Sequence, residues 1–144
     1  MTLSVAIVDE ANQEVCDALN HLLPQLSTTA SALTLAQVQE LVDSPSITLF
    51  LARQDATLVG ALTLCVFRIP TGLRGWIEDV VVDESARGVG VGEALTLAAI
   101  EEAKRRGVRS LDLTTRPTRG AANRLYARLG FELRETNVYR YVIE

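Results

Sequence analysis

Arg87, Gly88, Gly90 and Gly92 lie within one short stretch, directly after an apolar, β-branched run. That run, Ile77 to Val82 (IEDVVV), reads as a buried or half-buried strand interrupted only by Glu78 and Asp79. Asp83 to Ala86 is a short polar turn, and a helical pattern starts as the glycines end. A strand, a glycine-rich turn and a helix N-terminus together can hold an anion. Glycines let the backbone come close, and the first N–H groups of the helix face the ligand at the positive end of the dipole. Arg87 adds a fixed cationic fork suited to phosphate.

Spacing narrows the kind of phosphate loop. A P-loop requires Gly-Lys-Ser/Thr, but Gly92 is followed by Glu93 and Ala94. A dinucleotide fingerprint requires a third Gly or Ala; the two registers place Glu93 or Leu95 there, although Asp112 does lie about 20 residues further on. The pattern that fits is Arg87-x-x-Gly90-x-Gly92 after a strand. It resembles the acetyl-CoA pyrophosphate loop of the GNAT N-acetyltransferase superfamily. A second stretch, Asn123-Arg124-Leu125-Tyr126-Ala127-Arg128-Leu129-Gly130-Phe131, resembles the Asn…Tyr-x-x-x-Gly-Phe segment of the same family. The resemblance covers residues 47 to 143; residues 1 to 46 fit by element order. The run GWIEDVVV followed by RGVGVG is also similar to the glucosamine-phosphate N-acetyltransferase branch.

The resemblance implies a site. The cofactor strand and the next parallel strand splay apart, and the pantetheine arm of acetyl-CoA enters between them. Backbone groups of Val80 and Val82 would bind that arm. Arg87 and the backbone of Gly88, Val89, Gly90, Val91 and Gly92 would hold the pyrophosphate, and Asn123 and Tyr126 would contact the cofactor. The implied reaction is direct attack of a primary amine on the thioester in a ternary complex. It needs a base for the ammonium, donors for the thioester oxygen, met by a β-bulge amide around Val80, and a proton for the leaving thiolate. Glu78 is the candidate base, on the reasoning that it shares strand parity with Val80 and Val82 while Asp79 points the other way. Tyr126 is the candidate acid. The plainer readings are a solvated or ion-paired strand carboxylate for Glu78, a core aromatic for Tyr126 and a surface residue for Asn123. His21 reads as a surface or capping residue with at most a minor substrate role.

Other elements must position these residues. Leu3 to Val8 reads as a strand. Asn12 to about Leu23 reads as a helix ended by Pro24, and Thr34 with Gln37 forms a capping box for a second helix that stops at Ser44-Pro45. Ile47 to Arg53, Leu58 to Phe67 and residues 74 to 82 read as strands separated by turns at Gln54–Thr57 and Pro70-Thr71-Gly72. A helix from about Gly90 to Arg106 buries Val91, Leu95, Ala99 and Ala103 and is capped by Gly107. Arg109 to Thr115 reads as a strand parallel to residues 77 to 82. Pro117-Thr118 opens a helix running to Leu129 and capped by Gly130. Phe131–Leu133 and Val138–Ile143 read as two final strands. The expected fold is α/β: a GNAT-like mixed, mostly antiparallel sheet with one parallel splayed pair, flanked by helices, in a single domain over 1–144.

Composition bounds the function. The 144 residues are 48% hydrophobic and 22% charged, with a net charge of −4. That describes a folded chain with no basic block for nucleic acid. Its longest apolar run is too short to cross a bilayer, and its first residues lack a signal-peptide pattern, so a cytoplasmic location is expected by default. Cys16 and Cys65 read as reduced cysteines, and one histidine does not suggest a zinc site; no metal is expected. Three functions follow: an acetyl-CoA-dependent amine N-acetyltransferase, a non-catalytic acyl-CoA-binding or sensor module, and a nucleotide-binding oxidoreductase domain. For the first, the expected partner is a small-molecule amine acceptor, and a homodimer stays open.

Overall fold

The computed structural model describes residues 2–144. They form two units, the first ending at Leu113 and the second spanning residues 114–144. The first contains β1 (Leu3–Ile7), α1 (Gln13–Leu22), a 3-10 turn (Leu23–Gln25), α2 (Leu35–Asp43), β2 (Ile47–Gln54), β3 (Thr57–Ile69), β4 (Gly72–Val82), a second 3-10 turn (Glu84–Ala86), α3 (Val91–Arg105) and β5 (Leu111–Asp112). The strands form one sheet in the order β1-β2-β3-β4-β5. All neighbours are antiparallel except β4 and β5, which are parallel.

Local chemistry explains most boundaries. Asn12 Oδ1 accepts from the Val15 N–H at 2.9 Å and starts α1. Pro24 lies within the 3-10 turn that ends it. Thr34 Oγ1 accepts from the Gln37 N–H while Gln37 Oε1 accepts from the Thr34 N–H, completing the expected capping box of α2. Two-residue turns, Asp55-Ala56 and Pro70-Thr71, join β2 to β3 and β3 to β4. Gly107, with φ +80°, ends α3 in the left-handed conformation that a glycine adopts without strain.

The sheet is covered on both faces. Val15, Cys16, Leu19 and Leu22 of α1 and Val38 of α2 pack with Leu49, Leu51, Ala61 and Val81. The alternate strand residues Phe50, Ala52, Leu62 and Leu64 are buried on the opposite face, which α3 covers with Val91, Leu95, Ala99 and Ala103. This is the stripe expected from the sequence. α3 sits close because Gly60 lacks a side chain: a Cβ there would lie 2.8 Å from Val91 Cγ1, 3.1 Å from Leu95 Cδ1 and 3.2 Å from the Val81 carbonyl oxygen.

A polar clamp ties the end of α1 to the segment after β4. Gln25 Nε2 donates to Asp83 Oδ1 at 2.7 Å, and Gln25 Oε1 accepts from the Glu84 N–H at 3.0 Å. His21 Nε2 lies 3.0 Å from the same Asp83 oxygen, and Ser85 Oγ donates to the other. The hydroxyl of Ser85 first, then the amide of Gln25 and the imidazole of His21, favour the carboxylate and lower the Asp83 pKa from 3.8 to about 2.

The second unit holds α4 (Gly120–Arg128), which ends at Gly130 with φ +101°. The helix starts later than expected because Pro117 and Thr118 lie in a turn before its N-cap, Arg119. A larger correction concerns the end of the chain. Phe131–Leu133 and Val138–Ile143 are not strands; residues 131–144 have no regular secondary structure. Their β-branched and aromatic composition favours a strand, but a strand exists only when another strand supplies its hydrogen bonds.

Two outcomes test this packing. Gly60→Ala should lower the melting temperature by a few degrees through overpacking against Val91, about 1–3 kcal/mol. Adding Val91→Ala should make the double variant more stable than the sum of the single losses, as measured by circular dichroism melts; strict additivity would show that no steric contact links the two positions. Asp83 supplies a pH signature. Its folded pKa lies below its unfolded value, so the stabilisation is present above about pH 4 and is lost as pH falls towards 2. The stability gap between the wild type and Asp83→Asn should therefore shrink across that window, and a constant gap would rule the clamp out.

Candidate functional site

β4 carries an irregularity where the site was expected. Thr63 pairs with Glu78 and Ala61 with Val81, so Asp79 and Val80 both lie opposite Leu62. This is a β-bulge, and Asp79 adopts φ +50° within it, a conformation costly for a residue with a side chain. The bulge inverts the side-chain alternation. Glu78 shares a face with Trp76, Thr63 and Cys65, and beyond the bulge that face continues with Val81. Glu78 therefore does not share the face of Val82, contrary to simple strand parity. Its face is the one covered further along by α1 and α2.

Trp76 fixes the Glu78 carboxylate. Its indole Nε1 donates to Glu78 Oε1 at 2.6 Å. The sequence motif contained Trp76, but its role was missed; a tryptophan two residues from a carboxylate on one strand was the available signal. Cys65, opposite Trp76, has its thiol pKa raised by burial and then by the negative charges of Glu78 and Asp79, which disfavour a thiolate.

β5 meets β4 only at Gly75 and Trp76, not alongside residues 77–82 as expected. Gly75 permits the contact: a Cβ there would lie 2.5 Å from Leu111 Cδ2 and 2.9 Å from Val108 Cγ1. Past Trp76, β4 has no parallel partner among the described residues. One edge of Ile77–Val82 thus keeps backbone donors and acceptors outside the sheet ladder, as an extended ligand would need.

This edge leads into the glycine loop. Gly88 and Gly90 adopt φ +82° and +88°, and a Cβ built at either would meet nothing within 4 Å. Gly90 is the N-cap of α3, with no side chain capping the helix. The first intrahelical bond of α3 runs from the Ala94 N–H to the Gly90 carbonyl at 3.0 Å, so the N–H groups of Val91 and Gly92 open the helix ahead of it. Val91 is buried beneath the loop, whereas Val89 is exposed. Arg87 lies at the loop entrance with Nε donating to the Val82 carbonyl at 3.4 Å. The strand edge and the loop together offer backbone hydrogen bonds to an extended chain and, beyond it, a cradle for an anion.

In the second unit, Asn123 Nδ2 donates to the carbonyl oxygens of Arg116 at 3.0 Å and Arg119 at 2.7 Å, fastening the turn before α4. Tyr126 is half-buried and stacks edge-on against Phe131, with centroids 5.6 Å apart. Burial raises its phenol pKa, an effect Arg119 partly opposes, so the hydroxyl keeps its proton at neutral pH. His21, expected at the surface, is exposed but belongs to the Asp83 clamp; its partner lies 62 positions along the chain, and no local pattern reveals it. Among the described residues, no cluster of three His, Cys, Asp or Glu side chains is placed to hold a metal, and no helix is long and apolar enough to cross a membrane.

Known proteins resemble this chain in sequence and fold. N-alpha-acetyltransferase 30 of Schizosaccharomyces pombe is 33% identical over 96 residues, covering 65% of this chain and 63% of that protein. A mycothiol acetyltransferase of Thermobispora bispora is 40% identical over 85 residues, covering 57% of this chain and 29% of that protein. The chain therefore spans less than two thirds of either relative. The crystal structure of aminoglycoside N-acetyltransferase AAC(6')-Iy in complex with CoA superposes with a TM-score of 0.82 at 19% identity, covering 98% of this chain and 95% of that one. It shows a shared fold. Residues 12–131 match the acetyltransferase (GNAT) family, and the chain belongs to that family.

Proposed function

We propose that this protein transfers an acetyl group from acetyl-CoA to a primary amine of a small molecule, by direct attack in a ternary complex. The observation that carries this reading is the β4 edge: it is bulged at Asp79–Val80, unpaired beyond Trp76, and leads into an uncapped helix start behind Gly88 and Gly90. An extended arm ending in a pyrophosphate matches that order of features. The CoA-bound fold relative and the acetyltransferases matched by sequence support the choice of ligand.

In this reading, backbone groups of Val80 and Val82 hydrogen-bond the pantetheine arm. Gly88, Val89, Gly90, Val91 and Gly92 present N–H groups to the pyrophosphate. Arg87 turns from the Val82 carbonyl towards the same phosphates, because a charge-assisted bond is stronger than its 3.4 Å contact. A bulge amide at Val80 faces the thioester oxygen, where charge develops during attack. Glu78 accepts the ammonium proton directly or through water, with Trp76 holding one carboxylate oxygen in place. The amine nitrogen forms a bond to the acetyl carbon, the carbon–sulfur bond breaks, and Tyr126 gives its proton to the departing thiolate. Asn123 holds the turn that precedes the Tyr126 helix and contacts the cofactor. The sulfur is already a fair leaving group, so the contribution of Tyr126 is smaller than that of positioning.

A binding-only module would use the edge and the loop without Glu78 or Tyr126. Acetyl-CoA should raise the melting temperature, by about 2.7 kcal/mol of added stability at 100 times Kd. Gly90→Val, whose side chain would fill the open cradle at φ +88°, should abolish that shift. Tyr126→Phe should keep the shift while turnover falls about 10²-fold, and Glu78→Gln should lose rate that partly returns as pH rises and the free amine becomes neutral. A free-thiol release assay over an amine panel reads both profiles. A thermal shift with no thiol release on any amine would leave the binding module standing, and a shift with NAD but not with CoA would sink the cofactor assignment.

A further inference from the structure

The segment from Asp83 to Arg87 carries the chain from β4 into the glycine loop, and part of its support comes from far away in sequence. The Asp83 N–H donates to the Val59 carbonyl of β3 at 2.8 Å, and the Ala86 N–H closes a turn onto the Asp83 carbonyl at 2.9 Å. Between them, the Glu84 N–H donates to Gln25 Oε1 at 3.0 Å, a side chain 59 positions earlier. The same side-chain amide donates through Nε2 to Asp83 Oδ1 at 2.7 Å. One planar group thus grips a backbone N–H and a carboxylate on adjacent residues, which fixes the direction of the segment as well as its distance. Gln25 is itself anchored. It ends the 3-10 turn Leu23–Gln25; Leu22 before that turn is fully buried, and Leu23 and Leu26 pack against the same core.

Ala86 is buried and Arg87 follows it directly, so the path of this segment decides where the anion cradle begins. Asp83 and Glu84 also bring negative charge close to a site that must receive an anion, where an unengaged carboxylate opposes phosphate. Gln25, His21 and Ser85 hold the Asp83 carboxylate on the side of the 3-10 turn and satisfy it there. We propose that Gln25 is a positioning residue for the anion cradle: through the Glu84 N–H and the Asp83 carboxylate, it sets where Arg87 and Gly88–Gly92 meet the cofactor pyrophosphate. The proposal rests on the assignment of acetyl-CoA to this edge and loop. It also predicts a division within the cofactor. The β4 edge that would take the pantetheine arm is held by the β3 ladder, in which Val82 pairs with Gly60 and Val81 with Ala61, and does not need Gln25. The loop beyond it does.

The experiment uses the full chain. Thermal-shift titrations with CoA and with pantetheine, which lacks the pyrophosphate, give two dissociation constants for each variant. Gln25→Leu keeps the bulk and removes both hydrogen bonds, so its CoA constant should rise about tenfold while its pantetheine constant stays within about twofold of the wild type. A general loss of packing would weaken both ligands alike. Gln25→Glu should also weaken CoA, because a carboxylate cannot donate to Asp83. Adding Asp83→Asn should restore CoA affinity: the two side chains then exchange donor and acceptor roles, and the Glu84 N–H keeps an acceptor at position 25. Equal losses for CoA and pantetheine, unchanged CoA binding in Gln25→Leu, or a double variant no better than Gln25→Glu would each overturn the proposal. A wild type that binds neither compound would overturn the acetyl-CoA assignment and this role of Gln25 with it.

Discussion

Backbone hydrogen bonding along β4 is the constraint on which this structure depends. On one side β4 is held by β3 over nearly its whole length; on the other, pairing stops at Trp76. Each group left out of a ladder costs free energy unless water or a ligand satisfies it. Neighbouring features keep the one-sided strand in place. The long antiparallel partner holds its register, Gly60 admits α3 close against β3, and the Asp83 clamp fastens the segment leaving its end. Asp79 bears the local strain of the bulge, a cost of order 1–3 kcal/mol that only a well-held strand sustains.

What the sequence revealed was local or periodic. The buried stripe of α3, the Thr34–Gln37 capping box, the helix stop at Gly107 and both two-residue turns depend on residues a few positions apart, so spacing exposes them. The glycine loop was legible for the same reason. What failed depended on distant partners. The extent of β5 is set by what Gly75 admits, and the last two strands need an edge that the segment's own composition cannot supply.

The bulge shows a subtler limit. Strand parity is sound only while each residue faces one partner, and Asp79–Val80 break that condition. Glu78 was singled out as the candidate base, but its face was assigned by counting through an insertion that sequence does not mark. Trp76, His21 and Gln25 were overlooked because each acts through one specific contact and belongs to no periodic pattern.

The two-residue turns have a kinetic consequence. β2, β3 and β4 are sequential neighbours, so their contacts close short loops and can form early. β5 must wait until the chain has passed through the glycine loop and all of α3, a much longer loop whose closure costs more entropy. The open edge of β4 thus begins where the earliest and the latest parts of the sheet meet. The two-residue β5 pairing should open before the long β3–β4 ladder in local unfolding, an order that native-state hydrogen exchange at Leu111 and Leu64 would reveal.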